Sequence, residues 1–329
     1  MKQLSFCIII GMALGIILQQ CIDKYMDPEL IFFGKVANMT DAWFTKVKNN
    51  PAPLHIIIGG SEIATSVNPR AMQEKHGITV VNAGNHAGFG LPGNVVAAEH
   101  HIAKGNHVVC SLYPAPNITT QGLKFAFRQK GLNMFSTNII PLNTGNLLTV
   151  LSGDLSANVN YVKRQRKRIK RGRPTHGYMN PEKATLHNNG FLEIHNMRMH
   201  EMEPEKLYHD EVCAATSDIV EFCKKMQQLC HERGASFSVM FALHYNSLDC
   251  RIKHAELARH LTVNGIPVLK DERLGISDDL SYFSDTPSHL SNKGVDICSD
   301  IWGYALKNRI YWTEQELTKT INSLGETSK

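Results

Sequence analysis

The chain has 329 residues, 43% of them hydrophobic and 20% charged, which fits a folded body with a large core and excludes global disorder. The formal net charge of +5 comes largely from one cluster between Lys163 and Arg173, so a whole surface built for nucleic acid is not indicated. The eight cysteines form no CxxC pair, the sixteen histidines are scattered and HExxH is absent, so zinc ribbons, thioredoxin-like sites and zincins have no support and no metal is expected.

The first element is "MKQLSFCIIIGMALGIILQQC", one lysine ahead of an uncharged apolar run from Leu4 to Leu18. No small-x-small cleavage pattern follows it, so residues 1–22 read as an uncleaved signal anchor, with the body in the periplasm or outside the cell. Residues 23–52 read as a helical or irregular stem. Beyond them, "LHIIIGG" (54–60), "ITVVNAG" (78–84), "NHVVCSLYP" (106–114), "SFSVMFALHY" (236–245) and "IPVLKD" (266–271) each read as a buried strand, being apolar runs too short for helices.

Helical patterns lie between the strands. "GNVVAAEHHIAKG" (93–105) ends on a glycine suited to C-capping, and a longer helix is expected over about 205–233. There Val212, Ala215, Ile219, Phe222, Met226 and Leu229 make one apolar face, and Gly234 gives the stop. Cys223 and Cys230 fall on this helix as core residues. Strand and helix alternation predicts an α/β fold with a parallel sheet and helices on both faces. The gap after the third strand, about 134–204, reads as an insertion over the sheet's active edge. The domain so framed spans 53–310, and a C-terminal helix and tail follow over 311–329.

The first strand ends in Gly59-Gly60-Ser61. Two glycines let backbone come close, and Ser61 then sits at the strand's carboxyl end, where open α/β sheets bind ligands. It is either a nucleophile or a helix N-cap. Far downstream, "DTPSHLSNKG" places Asp285 and His289 in a short loop before an amphipathic helix capped by Ser291 or Asn292. That loop supplies an imidazole to take a serine proton and a carboxylate to hold the imidazole's tautomer. As a pair they also fit an ordinary polar turn.

In order and spacing, "IIIGGSEIATSVNP", "VVNAGNHAGFG" and "DTPSHLSNKG" resemble the first, second and last blocks of the SGNH, or GDSL-type, hydrolase superfamily. The resemblance spans roughly 54–308 with the insertion unmatched. It implies a flavodoxin-like three-layer α/β/α fold with a central parallel sheet of about five strands. It implies Ser61 as nucleophile, His289 as general base and then acid, and Asp285 as the orienting carboxylate. The implied oxyanion hole takes the Ser61 amide, the amide of Gly84 or Gly88, and a third-block asparagine side chain. No GxND block follows strand three; "SLYPAPNITT" offers Asn117 instead.

The basic run from Lys163 to Arg173 reads as a solvated loop or as a contact for an anionic partner, with Arg166, Arg168 and Arg171 as substrate-binding candidates. No aromatic interleaving accompanies it, so nucleic acid is not an expected partner. His187 and His195, in "HNNGFLEIHNM", read as surface histidines or substrate contacts. Together these features predict a membrane-anchored serine ester hydrolase or O-acyltransferase. Its substrate would be an acylated, foremost O-acetylated, envelope or extracellular glycan. No cofactor is expected, and the sequence names no protein partner. The alternative is a non-catalytic SGNH-like glycan-binding or assembly protein.

Overall fold

Four of the five apolar runs pair as parallel strands in this computed structural model, which describes residues 14–15, 17, 28–50, 52–112, 117–137, 139–152, 163–164, 166–168, 170–171, 184–189, 191–194, 217–245, 248–284 and 286–327. They are β1 (Leu54–Gly59), β2 (Thr79–Gly84), β3 (His107–Cys110) and β6 (Ser236–Val239), in the order β2-β1-β3-β6. The register sets Ile57 beside Asn82 and Val109, and Val109 beside Ser238. Residue alternation divides the sheet between two cores. Ile56, Ile58, Val81, Val108, Cys110, Phe237 and Val239 face one, while Ile57, Val80 and Val109 face the other.

The first face is covered by α4 (Gly90–Ala98), α5 (Thr120–Lys130), α7 (Ser217–Glu232), α8 (Leu248–Val263) and α10 (Glu314–Thr327), through residues such as Val95, Leu123, Met226, Leu261 and Leu317. The second is covered by α2 (Ser61–Ala64), α3 (Pro69–His76) and α9 (Asn292–Asn308), through Ile63, Met72, Cys298 and the fully buried Trp302. Helices on both faces of a parallel sheet match the expected class and are consistent with three layers. The strand order reverses beside β1: β2 lies on one side and β3 on the other, and in open α/β sheets ligands bind at the carboxyl ends of the strands at such a switch point.

Residues expected as a stem are part of the body. Helix α1 (Pro28–Val47) buries Leu30, Phe33 and Val36. It also closes the sheet's free edge: Thr40 Oγ1 donates to Asn82 O at 3.0 Å and Trp43 Nε1 to Val80 O at 2.8 Å. Those are the carbonyls β2 turns away from β1, so α1 satisfies an edge that would otherwise be open to pairing.

Other boundaries also depart from the sequence reading. The helix expected over 93–105 ends at Ala98 and runs into a 3-10 turn, Glu99–His101. Gly105, at φ +86°, instead makes the turn into β3. The run 236–245 is not one strand, because β6 stops at Val239 and a separate β7 (His244–Tyr245) pairs in parallel with β8 (Ile276–Ser277). The run 266–271 joins the sheet through one parallel bridge, Val239 to Val268.

Within the insertion lie α6 (Thr144–Ser152) and an antiparallel pair, β4 (Ala184–Leu186) with β5 (Leu192–Ile194). Of the apolar face expected on the long helix, Ile219, Phe222, Met226 and Leu229 are buried on α7, as are Cys223 and Cys230; Val212 and Ala215 lie outside the described residues. Among the described residues no helix is long and apolar enough to cross a membrane. The expected anchor lies outside them except for Leu14, Gly15 and Ile17.

Candidate active site

Ser61 opens α2 at the carboxyl end of β1, and two features hold it there. Gly60 precedes it in extended conformation (φ −89°), with its N–H donating to Glu62 Oε1 at 2.9 Å. A Cβ on Gly60 would stand 2.8 Å from both the nitrogen and the Cα of Ala87, so the loop after β2 lies directly across this residue. The second feature is Asn82, fully buried on β2. Its Nδ2 donates to Ile63 O at 2.9 Å and Val67 O at 2.7 Å, which clamps the turn from α2 toward α3 onto the sheet.

His289 arrives from the loop before α9. Its backbone N–H donates to Thr286 Oγ1 at 3.1 Å, and the loop is pinned by Tyr245 N–H to Pro287 O at 2.8 Å and by Ser284 N–H to His289 O at 2.8 Å. The expected cap forms: Ser291 Oγ accepts from Gly294 N–H. These constraints set His289 Nε2 at 3.0 Å from Ser61 Oγ, across 228 positions of sequence, with both residues buried to within a few per cent. That is the contact a general base needs to take a serine proton. Asp285 lies outside the described residues.

Close to His289 sits His244, held by burial and by the nearby His254 and His289 at a pKa of about 3 and therefore neutral. His254 is likewise pushed to about 4 by burial, and its Nδ1 donates to Leu274 O. Glu62, next to Ser61, is wholly buried, and burial raises its carboxyl to about 7 against the opposing pull of the Gly60 amide and the Ser111 hydroxyl. Sequence reasoning singled out none of these three. A glutamate one step beyond a strand-end serine carries no marker of burial.

The expected oxyanion donors separate. Gly84 N–H is spent on Asn82 Oδ1 at 2.9 Å, and a Cβ there would stand 2.4 Å from Ala64 N, so this glycine serves close packing of β2 against α2. Gly88 lies on the loop that crosses Gly60. The amide of Ser61, as first residue of α2, has no carbonyl behind it within the helix. Asn117 is exposed at a bend before α5, with no hydrogen bond to Ser61 or His289. Instead, Asn85 is buried beside Gly59, its N–H donating to Gly59 O and its Oδ1 without a partner among the described residues.

Arg166 and Arg168 are exposed on helical backbone and Arg171 on the turn after it. His187 pairs with Glu193 at 2.7 Å, while His195 lies outside the described residues. A polar cavity of about 760 Å³ opens elsewhere, between α1, α3 and the β4–β5 turn, lined by Trp43, Lys46, Asn50, Asn68, Arg70 and Asn189. Neither Ser61 nor His289 lines it. Comparison of the chain with protein-family models, curated proteins and solved structures gives no significant match.

Proposed function

We propose that this chain is an SGNH-type serine ester hydrolase or O-acyltransferase, anchored by its N-terminal segment, with the body outside the cytoplasm. Its substrate in this reading is an O-acyl, foremost O-acetyl, ester of an envelope or extracellular glycan. The observation that carries the reading is the 3.0 Å contact between Ser61 Oγ and His289 Nε2 at the end of β1, where the strand order reverses. The Val239 to Val268 bridge supports a fifth strand position, which would complete a flavodoxin-like α/β/α sheet.

In the reaction, His289 takes the hydroxyl proton as Ser61 Oγ attacks the ester carbonyl, and the tetrahedral oxyanion is held by backbone amides. We assign that role to Ser61 and Gly88, because the Gly84 amide is engaged. The C–O bond to the leaving alcohol breaks as His289 returns the proton to it, leaving an acyl-serine. Water then gives hydrolysis; a sugar hydroxyl gives transfer. Asp285 is assigned to hold the imidazole, and no cofactor enters. The exposed basic residues Arg166, Arg168 and Arg171 suit an anionic glycan or lipid headgroups beside the anchor.

A second reading, a glycan-binding or assembly protein without catalysis, is favoured by the exposed Asn117 and the engaged Gly84 amide. The test is turnover of an activated acetyl ester by the full chain, with Ser61→Ala and His289→Ala beside it and a polysaccharide acceptor added in a second arm. Loss in both variants supports the pair as catalytic, and acceptor-dependent acetylation selects transfer. Equal inertness of all three proteins, with polysaccharide still bound, selects the second reading.

A further inference from the structure

We propose that Asp41, His100 and His101 form a binding site for a divalent transition-metal ion, at the opposite end of the sheet from Ser61. Asp41 lies on α1, and the two histidines are consecutive on the 3-10 turn that follows α4. Nε2 of each histidine stands 2.9 Å from the same oxygen, Asp41 Oδ1, and the three ligand atoms lie within 4.8 Å of one another. Metal bonds of about 2.0–2.2 Å in a tetrahedral site set neighbouring ligand atoms roughly 3.3 Å apart, so the cluster needs only small shifts to close on an ion. Two neutral imidazoles and one carboxylate suit Zn²⁺, Ni²⁺ or Cu²⁺ better than Ca²⁺ or Mg²⁺.

Several features favour occupation. The His101 side chain is 2% exposed, and its Nδ1 is buried with no partner among the described residues. Moving its proton from Nε2 to Nδ1, which frees the Nε2 lone pair for a metal, therefore sacrifices no hydrogen bond at Nδ1. His100 and Asp41 are 37% and 45% exposed, so an ion can enter from solvent and keep water in its remaining position.

One group opposes. Lys130 Nζ lies 2.6 Å from His100 Nδ1, and an ammonium can only donate, so this ring accepts there and carries its proton on Nε2 toward Asp41. Metal binding must reverse that tautomer, turning Lys130 out to solvent. The balance is simple: the ion replaces three hydrogen bonds, two from the histidines to Asp41 and one from Lys130 to His100, with three coordinate bonds, both histidines keep one proton, and no proton is released. An ion here would tie α1, which leads in from the N-terminal segment, to the body.

The test is Zn²⁺ titration of the full chain after chelation, followed by calorimetry and by the visible absorption of Co²⁺ as a second probe. Thermal midpoints are recorded with and without Zn²⁺. Wild type is expected to bind one ion and to gain thermal stability from it. Asp41→Asn and His100→Gln, both at partly exposed positions, are expected to bind at least about tenfold more weakly and to lose the stability gain. Absence of saturable binding by folded wild type would overturn the proposal, leaving a hydrogen-bonded tether between α1 and the turn. Unchanged affinity in both variants would overturn it too, by placing the ion elsewhere.

Discussion

Replacing Asn82 tests how the turn that carries Ser61 is built. Its side chain makes three buried hydrogen bonds, from Nδ2 to Ile63 O and Val67 O and from Gly84 N–H to Oδ1. In Asn82→Ala, Ile63 O keeps its bonds from the Ser66 and Val67 amides, so two groups are left bare, Val67 O and Gly84 N–H. At about 1–3 kcal/mol for each unsatisfied buried group, the expected loss is about 3–5 kcal/mol with the small cavity included. That is a large share of the roughly 5–15 kcal/mol that holds a domain. Urea unfolding should therefore show a midpoint lower by about 1 M or more, given slopes of about 3 kcal/mol/M. Asn82→Asp keeps the acceptor for Gly84 but loses both donors and buries a charge, so it should be no milder at neutral pH. Ester turnover should fall in both, because α2 carries Ser61. A loss under about 1 kcal/mol in Asn82→Ala would refute the clamp.

Other outcomes follow from the same contacts. Gly60→Ala should cost about 1–3 kcal/mol and cut turnover by pushing the 85–88 loop away. Its φ of −89° suits alanine, so the penalty is one of contact, and wild-type stability and rate together would show the loop lies elsewhere. His55, His107, His244 and His254 have pKa values of about 4, 3, 3 and 4, lowered chiefly by burial. The unfolded chain binds these protons near 6.5 and the native state does not, so stability should fall as pH drops from about 6.5 toward 4 in acid denaturation; a flat profile would contradict their neutrality. Glu62 works oppositely. Its raised pKa makes the native state the better proton binder, so its contribution is full below about 4.5 and lost as pH rises through 7. Glu62→Gln should thus be stabilising at pH 8, by on the order of 3 kcal/mol, and neutral near pH 4; equal effects at both values would speak against that ionisation.

The four paired strands were legible because parallel strands buried on both faces read as continuous apolar runs. The Ser61 to His289 contact was legible only through the order of motif blocks, since no local pattern joins residues 228 positions apart. What escaped depends on tertiary neighbours. The α1 helix reads as a stem until Thr40 and Trp43 are seen on the β2 edge. Gly84 and Gly88 look equivalent as amide donors until Asn82 claims one of them. Gly105 offers a cap, yet the helix ends at Ala98, and His100 and His101 turn toward Asp41 from a 3-10 segment. Their convergence with an aspartate on α1 has no spacing rule that a sequence could carry.

The most direct test of the central claim is covalent trapping: the full chain is treated with a serine-directed fluorophosphonate and the modified peptide identified by mass spectrometry. A nucleophile activated by His289 should give one adduct, on Ser61, forming at least about a thousandfold more slowly in His289→Ala. A folded wild type that takes no label at Ser61, or that labels equally well without His289, would contradict the account.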